Sequence, residues 1–486
     1  MKKIYILLFA MAIAGCEDFL EQDIRSNQNY DNYFQSEEDL VRFANGMYGS
    51  LITWTWSGGG LFFNNFWVLQ DLAADNTYET GPSVDYHDLS NFTYDANNMI
   101  MDWIWEGCYH TINSSNVLLT EIEKMQQYSS PEVKNHLQGE AYFIRGMLYF
   151  ELVKLFGDIP LQLFPTTEIE GTKLTRSPAA DVYASVISDL TNAAELLKVN
   201  PYKDRVLGVP TSETASTLLA KAYLTRGALN NDQNDFDEAA ASLEKVIGKF
   251  TLEPEFADIF KLKNNNRGEI IWAINFSGTL GQGWTTNQFI VRLMPTTRSD
   301  NGTKNGQGWE RPTNYLYNSF AAGDERKSTT FITEFEGEVF SGPFIQKYWD
   351  REAEPGKQNG ESDADFIYLR YADVLLMYAE ALNEINNGPD NTAYDAINQV
   401  RNRAGLGDLS TGLSYQDFKD AVLQERQWEF VMEGQRWYDL VRMGKLKEQV
   451  LLSKPTANVQ DFHVLFPIPQ KEIYYNPNLT QNTGYY

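Results

Sequence analysis

Residues 424–444 read QERQWEFVMEGQRWYDLVRMG. Within this stretch and just ahead of it, Phe418, Val422, Phe430, Gly434, Trp437 and Val441 recur at helical spacing, so one face is apolar. Gly434 either lets another backbone come close or breaks the segment into two helices. The spacings Glu433 to Arg436 and Asp439 to Arg442 predict charge pairs on a helix surface. Glu425, Glu429 and Glu433 stack at four-residue intervals beside Arg426 and Arg436. Such a ladder is either the ion-paired edge of a packed helix or a carboxylate active site. Two tryptophans and abundant arginines favour packing with neutralised carboxylates.

The chain on the N-terminal side is also helical. Tyr371 to Ile385 and Thr392 to Arg403 form one helical pair, and Thr211 to Leu229 with Asp235 to Phe250 form another. The small residues Ala220, Ala239 and Ala240 beside Tyr223 give the second pair a tetratricopeptide-like spacing. Such pairs cannot bury their apolar faces alone and need neighbours. Leu137, Ala141, Ile144, Leu148, Leu152 and Leu155 make a near-heptad stripe, stopped by Gly157 and Pro160. Ser177-Pro178 reads as a cap opening a helix to Leu197, Ile100 to Lys124 as another helix, and Ser36 to Asp39 as a capping-box start. The predicted fold is mainly α, a superhelical scaffold of such hairpins. A loop-heavy, partly β insertion covers about residues 264–361, with a strand at Glu269 to Ile274. Helical periodicity also breaks from Thr53 to Asn98, where aromatic residues crowd a Ser57-Gly58-Gly59-Gly60 loop.

The chain has 486 residues, is 43% hydrophobic and 14% aromatic, and carries a net charge of −26. Its acidity argues against nucleic acid, which needs clustered Lys and Arg, and against adsorption to anionic lipid. A neutral ligand such as a sugar is compatible with it. Cys16 and Cys108 are the only cysteines, which excludes a disulfide framework and a Cys-rich zinc site. His87, His110, His136 and His463 show no ligand spacing, so neither a metal nor another cofactor is expected. The polar run Asn231 to Asp235 lacks the glycine and terminal glutamate of a calcium loop and reads as a solvated turn.

Met1-Lys2-Lys3, the apolar run Ile4 to Ala14 and Gly15-Cys16 have the layout of a secretory signal over residues 1–15. The run is too short to span a bilayer. Ile13-Ala14-Gly15-Cys16 resembles a bacterial lipobox, in which Cys16 is acylated and becomes the new N-terminus. The acidic Glu17-Asp18 that follows resembles the surface-export signal of some Gram-negative lipoproteins. No later stretch reaches membrane-spanning length, so the lipid would be the anchor.

Several stretches together resemble the RagB/SusD family, the starch-utilisation-type surface lipoproteins of glycan-foraging Gram-negative bacteria. Besides the lipobox they are EAYFIRGMLYFELVKLFGDIPL (140–161), RSPAADVYASVISDL (176–190), RPTNYLYNSF with GDER (311–326) and YLRYADVLLMYAEALNE (368–384). INQVRNRAGL (397–406), ERQWEFVMEGQRWYDLVRMGKL (425–446) and FPIPQKEIYYNPNLTQN (466–482) complete the series. Each motif is weak alone; all of them in family order are specific. The resemblance implies a single domain over 16–486, with tetratricopeptide-like helices within about 100–250 and 366–451. It also implies a ligand face that varies, within about 53–98 and 264–361. The implied function is capture of oligosaccharide without catalysis and its delivery to a TonB-dependent, SusC-like outer-membrane transporter.

Oligosaccharide capture needs flat rings to stack on sugar C–H faces and a few planar polar groups to read hydroxyls. The first variable stretch offers Trp54, Trp56, Asp71, Asp75 and Tyr94; the second offers Trp284, Arg292, Arg298, Asn301 and Trp309. Trp103, Trp105, Trp272, Trp349, Trp428 and Trp437 fall in periodic segments and are assigned to the core. Two other functions compete: a surface glycoside hydrolase built on the glutamate ladder, and a peptide-binding scaffold or carrier of a non-glycan nutrient on the same fold.

Overall fold

A computed structural model of the chain describes residues 33–52, 60–168, 171, 173–202, 208–276, 287–297, 303, 305–352 and 362–485. Cys16, Trp54, Trp56, Trp284, Arg298 and Asn301 lie outside them. The N-terminal helices are α1 (Glu37–Ile52), α2 (Phe66–Leu72), α3 (Val84–Asn91), α4 (Met99–Lys124) and α5 (Pro131–Phe156). Next come α6 (Ala179–Leu196), α7 (Ser212–Asn230), α8 (Gln233–Glu244), α9 (Phe289–Leu293), α10 (Asn314–Ser319) and α11 (Arg326–Thr330). The last are α12 (Tyr371–Asn386), α13 (Asn391–Arg403), α14 (Tyr415–Glu429), α15 (Arg436–Arg442), α16 (Leu446–Ser453) and α17 (Gln470–Tyr475). The strands are short: β1 (Thr77–Glu79), β2 (Ile270–Ile274), β3 (Glu310–Pro312), β4 (Phe331–Phe335), β5 (Glu338–Ile345) and β6 (Phe366–Arg370).

Local chemistry sets the helix ends. Ser36 and Asp39 cap α1 reciprocally, with Ser36 N–H donating to Asp39 Oδ2 at 2.8 Å. Thr211 and Thr214 form the same box on α7. The expected cap on α6 differs: Ala179 N–H donates to Asp158 Oδ1 at 2.7 Å, so Asp158, not Ser177, holds that end. Between α7 and α8, Asn231 is left-handed, Asp232 accepts from Asn234 N–H at 3.0 Å and Asp235 pairs with Arg226. The polar run is therefore a pair of caps.

Consecutive helices pack as hairpins: α4 on α5, α5 on α6, α6 on α7, α7 on α8, and α12 on α13. α8 also packs on α12, so the two sequence-separated sets form one array. The α5 stripe is wholly buried, as are Ala220, Ala239 and Ala240. Trp105, Trp272 and Trp437 are core residues, whereas Trp103, Trp349 and Trp428 are half-buried at its edge. Among the described residues no helix is long and apolar enough to cross a membrane.

Gly434 breaks the 424–444 stretch. It sits at φ +64° between α14 and α15, the left-handed conformation that favours glycine, while a Cβ there would stand 3.6 Å from the Trp67 backbone in ordinary contact, so the break and not a close approach calls for glycine. The break re-aims the charges. Asp439 pairs with Arg442 at 2.8 Å as spaced. Glu433 does not pair with Arg436. It takes Lys347 at 2.5 Å and Arg370 at 2.7 Å, while Arg436 turns to Asp75. Glu425 meets Arg326 at 2.7 Å and Arg401 at 3.0 Å; Glu429 meets Arg326 at 2.9 Å, Arg370 and Arg403. Glu269, Asp324, Glu425, Glu429 and Glu433 thus face Arg326, Lys347, Arg370, Arg401 and Arg403 with equal charge of each sign. Beside them Asp373, Glu380 and Asp439 face Lys221, Arg426 and Arg442. The ladder is buried and its three glutamates are committed to cations, which is the packing reading.

Candidate ligand-binding face

The two variable stretches meet in one place. Strands β1 and β3, from the first and second stretch, pair antiparallel with Thr77 opposite Pro312, Tyr78 opposite Arg311 and Glu79 opposite Glu310. Alternation along β1 turns Thr77 and Glu79 inward and leaves Tyr78 37% exposed. Thr80 N–H extends the pairing to the Trp309 carbonyl at 2.6 Å, and its hydroxyl donates to the same oxygen at 2.8 Å. The half-buried Trp309 ring leans on Gly81, where a Cβ would lie 2.6 Å from Trp309 Cγ. A side chain at position 81 would collide with the indole, so the close approach calls for glycine. Arg311 stacks 3.5 Å over the Phe344 ring and donates Nε–H to the Pro343 carbonyl at 3.0 Å, tying the β4–β5 hairpin to the same edge. Asn64 Nδ2 donates to Gln288 Oε1 at 2.8 Å and joins the stretches a second time, ahead of α9.

Beneath this edge lies a buried charged floor. Arg292 pairs with Glu79, stands 3.7 Å from Glu310 Oε2, and lies 4.1 Å over the Tyr86 ring and 5.9 Å from that of Trp309. Thr77 Oγ–H donates to Glu310 Oε1 at 2.7 Å. Burial pushes the Glu310 carboxyl up to about 8, with Arg292 opposing, and pushes Asp71 up to about 7, with the Asn76 side chain opposing. Tyr86 rises to about 12 for the same reason. One guanidinium here serves two close carboxyls, and the low dielectric favours protonating one of them.

Arg292, expected to read hydroxyls, is 1% exposed and spent on Glu79; it braces the face from below. Asp75 is buried against Arg436 at 2.7 and 2.8 Å, and its carbonyl accepts from Thr313 Oγ–H at 3.0 Å, so it fastens β1 to α15. Asp71 is buried beside Asn76 and the backbone of Met432 and Gly434. Tyr94 lies in the core among Phe466, His463 and Tyr485, far along the chain from the strand pair. In this structure these four side chains face protein rather than solvent: Arg292 and Asp75 each meet an opposite charge and Tyr94 meets rings from distant sequence, while Asp71 is enclosed beside Asn76 and backbone. Trp309 does reach the face. Just before β3, Thr297 N–H donates to Thr303 O at 2.9 Å. Tyr78 and Arg311 were not among the sequence candidates. The sequence carried no signal for Tyr78, because Thr77-Tyr78-Glu79 is three residues long and turns its polar residues inward. Among the described residues no cluster of His, Cys, Asp and Glu has the spacing to hold a metal ion.

The class so defined is a tetratricopeptide-like helical scaffold that displays rings on a paired-loop edge. The chain belongs to the SusD/RagB family. A profile described as "SusD family" matches residues 336–485, and one described as "Starch-binding associating with outer membrane" matches residues 18–224. SusD-like protein P2 of Formosa agariphila is 29% identical, over 100% of this chain and 99% of its own. The starch-binding protein SusD of Bacteroides thetaiotaomicron is 22% identical, over 82% of this chain and 81% of its own. The crystal structure of a SusD superfamily protein from Parabacteroides distasonis superposes with a TM-score of 0.81 at 25% identity, covering 93% of this chain and 100% of that one.

Proposed function

We propose that this chain is a cell-surface lipoprotein that captures oligosaccharide on the β1–β3 edge and hands it to a TonB-dependent, SusC-like outer-membrane transporter, without catalysis. Residues 1–15 act as the signal peptide and Cys16 carries the lipid. The observation that carries the reading is the β1–β3 pairing, which draws the two variable stretches into one edge bearing Tyr78 and Trp309. A half-exposed ring on a rigid strand end is the surface a sugar ring stacks on. Trp54, Trp56, Trp284, Arg298 and Asn301 are proposed to extend that edge. The family's description as starch-binding and outer-membrane-associated supports the ligand class and the location. The burial of Glu425, Glu429 and Glu433 in ion pairs supports binding over hydrolysis.

The test is titration calorimetry of the lipid-free mature chain against malto-oligosaccharides and a panel of plant and host glycans. Trp309→Ala is expected to weaken the best ligand about tenfold, roughly 1.4 kcal/mol. Unchanged affinity in that variant overturns the assignment of the edge. Release of new reducing ends during incubation overturns the non-catalytic reading.

A further inference from the structure

A second aromatic groove lies on another part of the surface. α17 rests against α4, with Lys471 Nζ 3.2 Å from Asp102 Oδ2 and 3.4 Å from Glu106 Oε2. Between these helices and Pro160, Gln162, Thr166 and Leu174 is an open cavity of about 430 Å³. Trp105, Tyr109, Asn113, Gln162, Glu472 and Tyr475 are among its lining residues, and none of the lining belongs to the β1–β3 edge. The walls are held firmly. Tyr109 Oη–H donates to the Pro160 carbonyl at 2.7 Å, Thr166 N–H donates to Asn113 Oδ1 at 2.9 Å, and Asn476 Nδ2–H donates to the Leu174 carbonyl at 2.8 Å.

The rim is unusual for this molecule. Tyr475 is 62% exposed and Tyr474, in contact with it, 80% exposed; Phe164, between two lining residues, is 74% exposed. Most other large rings of the described chain are packed, so the exposed Tyr475 on the cavity wall, with Tyr474 against it, forms a patch with a use. The polar groups set its chemistry. Asp102, Glu106 and Glu472 outnumber Lys471, so the groove is net negative and repels anionic ligands. Carboxylates beside flat rings accept hydrogen bonds from hydroxyls while the rings take C–H faces. A cavity of this size, concave and polar at one wall, fits a small polyhydroxylated ligand better than a protein surface, which needs a broad flat patch.

We infer that this groove is a second carbohydrate subsite, taking a short neutral saccharide stacked on Tyr475 and hydrogen-bonded to the Glu106 and Glu472 carboxylates. It shares the ligand class of the proposed function and uses different residues.

The lipid-free mature chain, Tyr475→Ala, Glu472→Gln and Trp309→Ala are each read on an array of neutral and uronate glycans, then titrated with the best neutral ligand. The exposed Tyr475 can be truncated without disturbing the core. The wild type is expected to give a two-site isotherm. Tyr475→Ala removes one site, Glu472→Gln weakens the same site several-fold, and Trp309→Ala leaves it intact. An isotherm unchanged in Tyr475→Ala, or a wild type that retains only uronates, overturns the groove assignment. An isotherm unchanged in Trp309→Ala but altered in Tyr475→Ala instead overturns the β1–β3 edge and leaves the groove standing.

Discussion

Two buried charged regions lie side by side in this molecule and are built on opposite rules. Around α14 and α15 every carboxylate meets at least one cation, the signs balance, and most contacts are at hydrogen-bonding distance. Under the β1–β3 edge Arg292 is, among the described residues, the one cation ion-paired with Glu79 and Glu310, with its Nε 3.7 Å from the second. Asp75 joins the two regions: its carboxylate belongs to the balanced side through Arg436, and its carbonyl holds β3 through Thr313. A balanced network fixes the path of several chain segments at once, which is what a rigid platform needs. An under-neutralised floor lets one group change its proton without collapse of the scaffold. The contrast separates the part of the chain that specifies the fold from the part that positions the ligand edge.

The largest effect expected on this contrast comes from the balanced side. Arg370 reaches Glu269, Glu429 and Glu433 and is fully buried. Arg370→Met keeps much of the volume but takes one shared cation from three buried carboxylates, which are left to Arg326, Arg403 and Lys347 with the network one positive charge short, so unfolding in urea should lose roughly 3–5 kcal/mol. A loss below about 1 kcal/mol would show the network to be redundant and would remove half of the comparison.

The next effect distinguishes the regions by the sign of their pH response. Burial alone would raise Glu429 and Asp373, but Arg403, Arg370 and Arg326 on the first, and Lys221 and Arg426 on the second, outweigh it and hold both low. Their stabilisation is present above the ordinary carboxylate range and is lost as pH falls through the lowered values. Glu310 behaves in the reverse sense. The folded chain keeps its proton up to about 8 while the unfolded chain releases it near 4.5. Its contribution is therefore complete below 4.5 and declines as pH rises to about 8, by roughly 1.4 kcal/mol per pH unit for one group. Glu310→Gln should flatten the alkaline limb of a melting-temperature profile between about pH 5 and 8 and leave the acid limb alone. A variant whose alkaline limb keeps its slope would show that Glu310 is ionised in the fold.

The same contrast explains what was legible in the sequence. The helices α7, α12 and α13 were legible within a residue or two, because their spacing and caps are local properties, whereas α8 was expected to reach Phe250 and stops at Glu244, where the chain leaves the helix in turns. The glutamate ladder was legible as packing, but its partners were not: Arg326, Arg370 and Arg403 come from separate elements. The edge was hardest to see. Its strands are three residues each, and Thr77 and Glu310 are 233 positions apart. Asp75 and Arg292 looked like ligand-reading groups because a polar residue in a loop-rich stretch carries no mark of the distant charge that buries it. Trp309 was offered with nine other residues of the two loop-rich stretches, and its place at the edge depends on the pairing of β1 with β3.

The smallest effect sharpens the ligand side. Tyr78 stands at the middle of β1, opposite Arg311, with more than a third of its surface in water. Its neighbours Thr77 and Glu79 make the inward contacts, so Tyr78→Ala should leave stability within about 0.5 kcal/mol of the wild type. If sugars stack along this edge, loss of the ring should weaken binding about fivefold, close to 1 kcal/mol, with the change in dissociation rather than association rate. Surface plasmon resonance on the soluble chain reads both rates. Equal dissociation in variant and wild type would confine stacking to Trp309. A loss of stability comparable to Arg370→Met would mean that edge and platform are one cooperative unit rather than two regions under different rules.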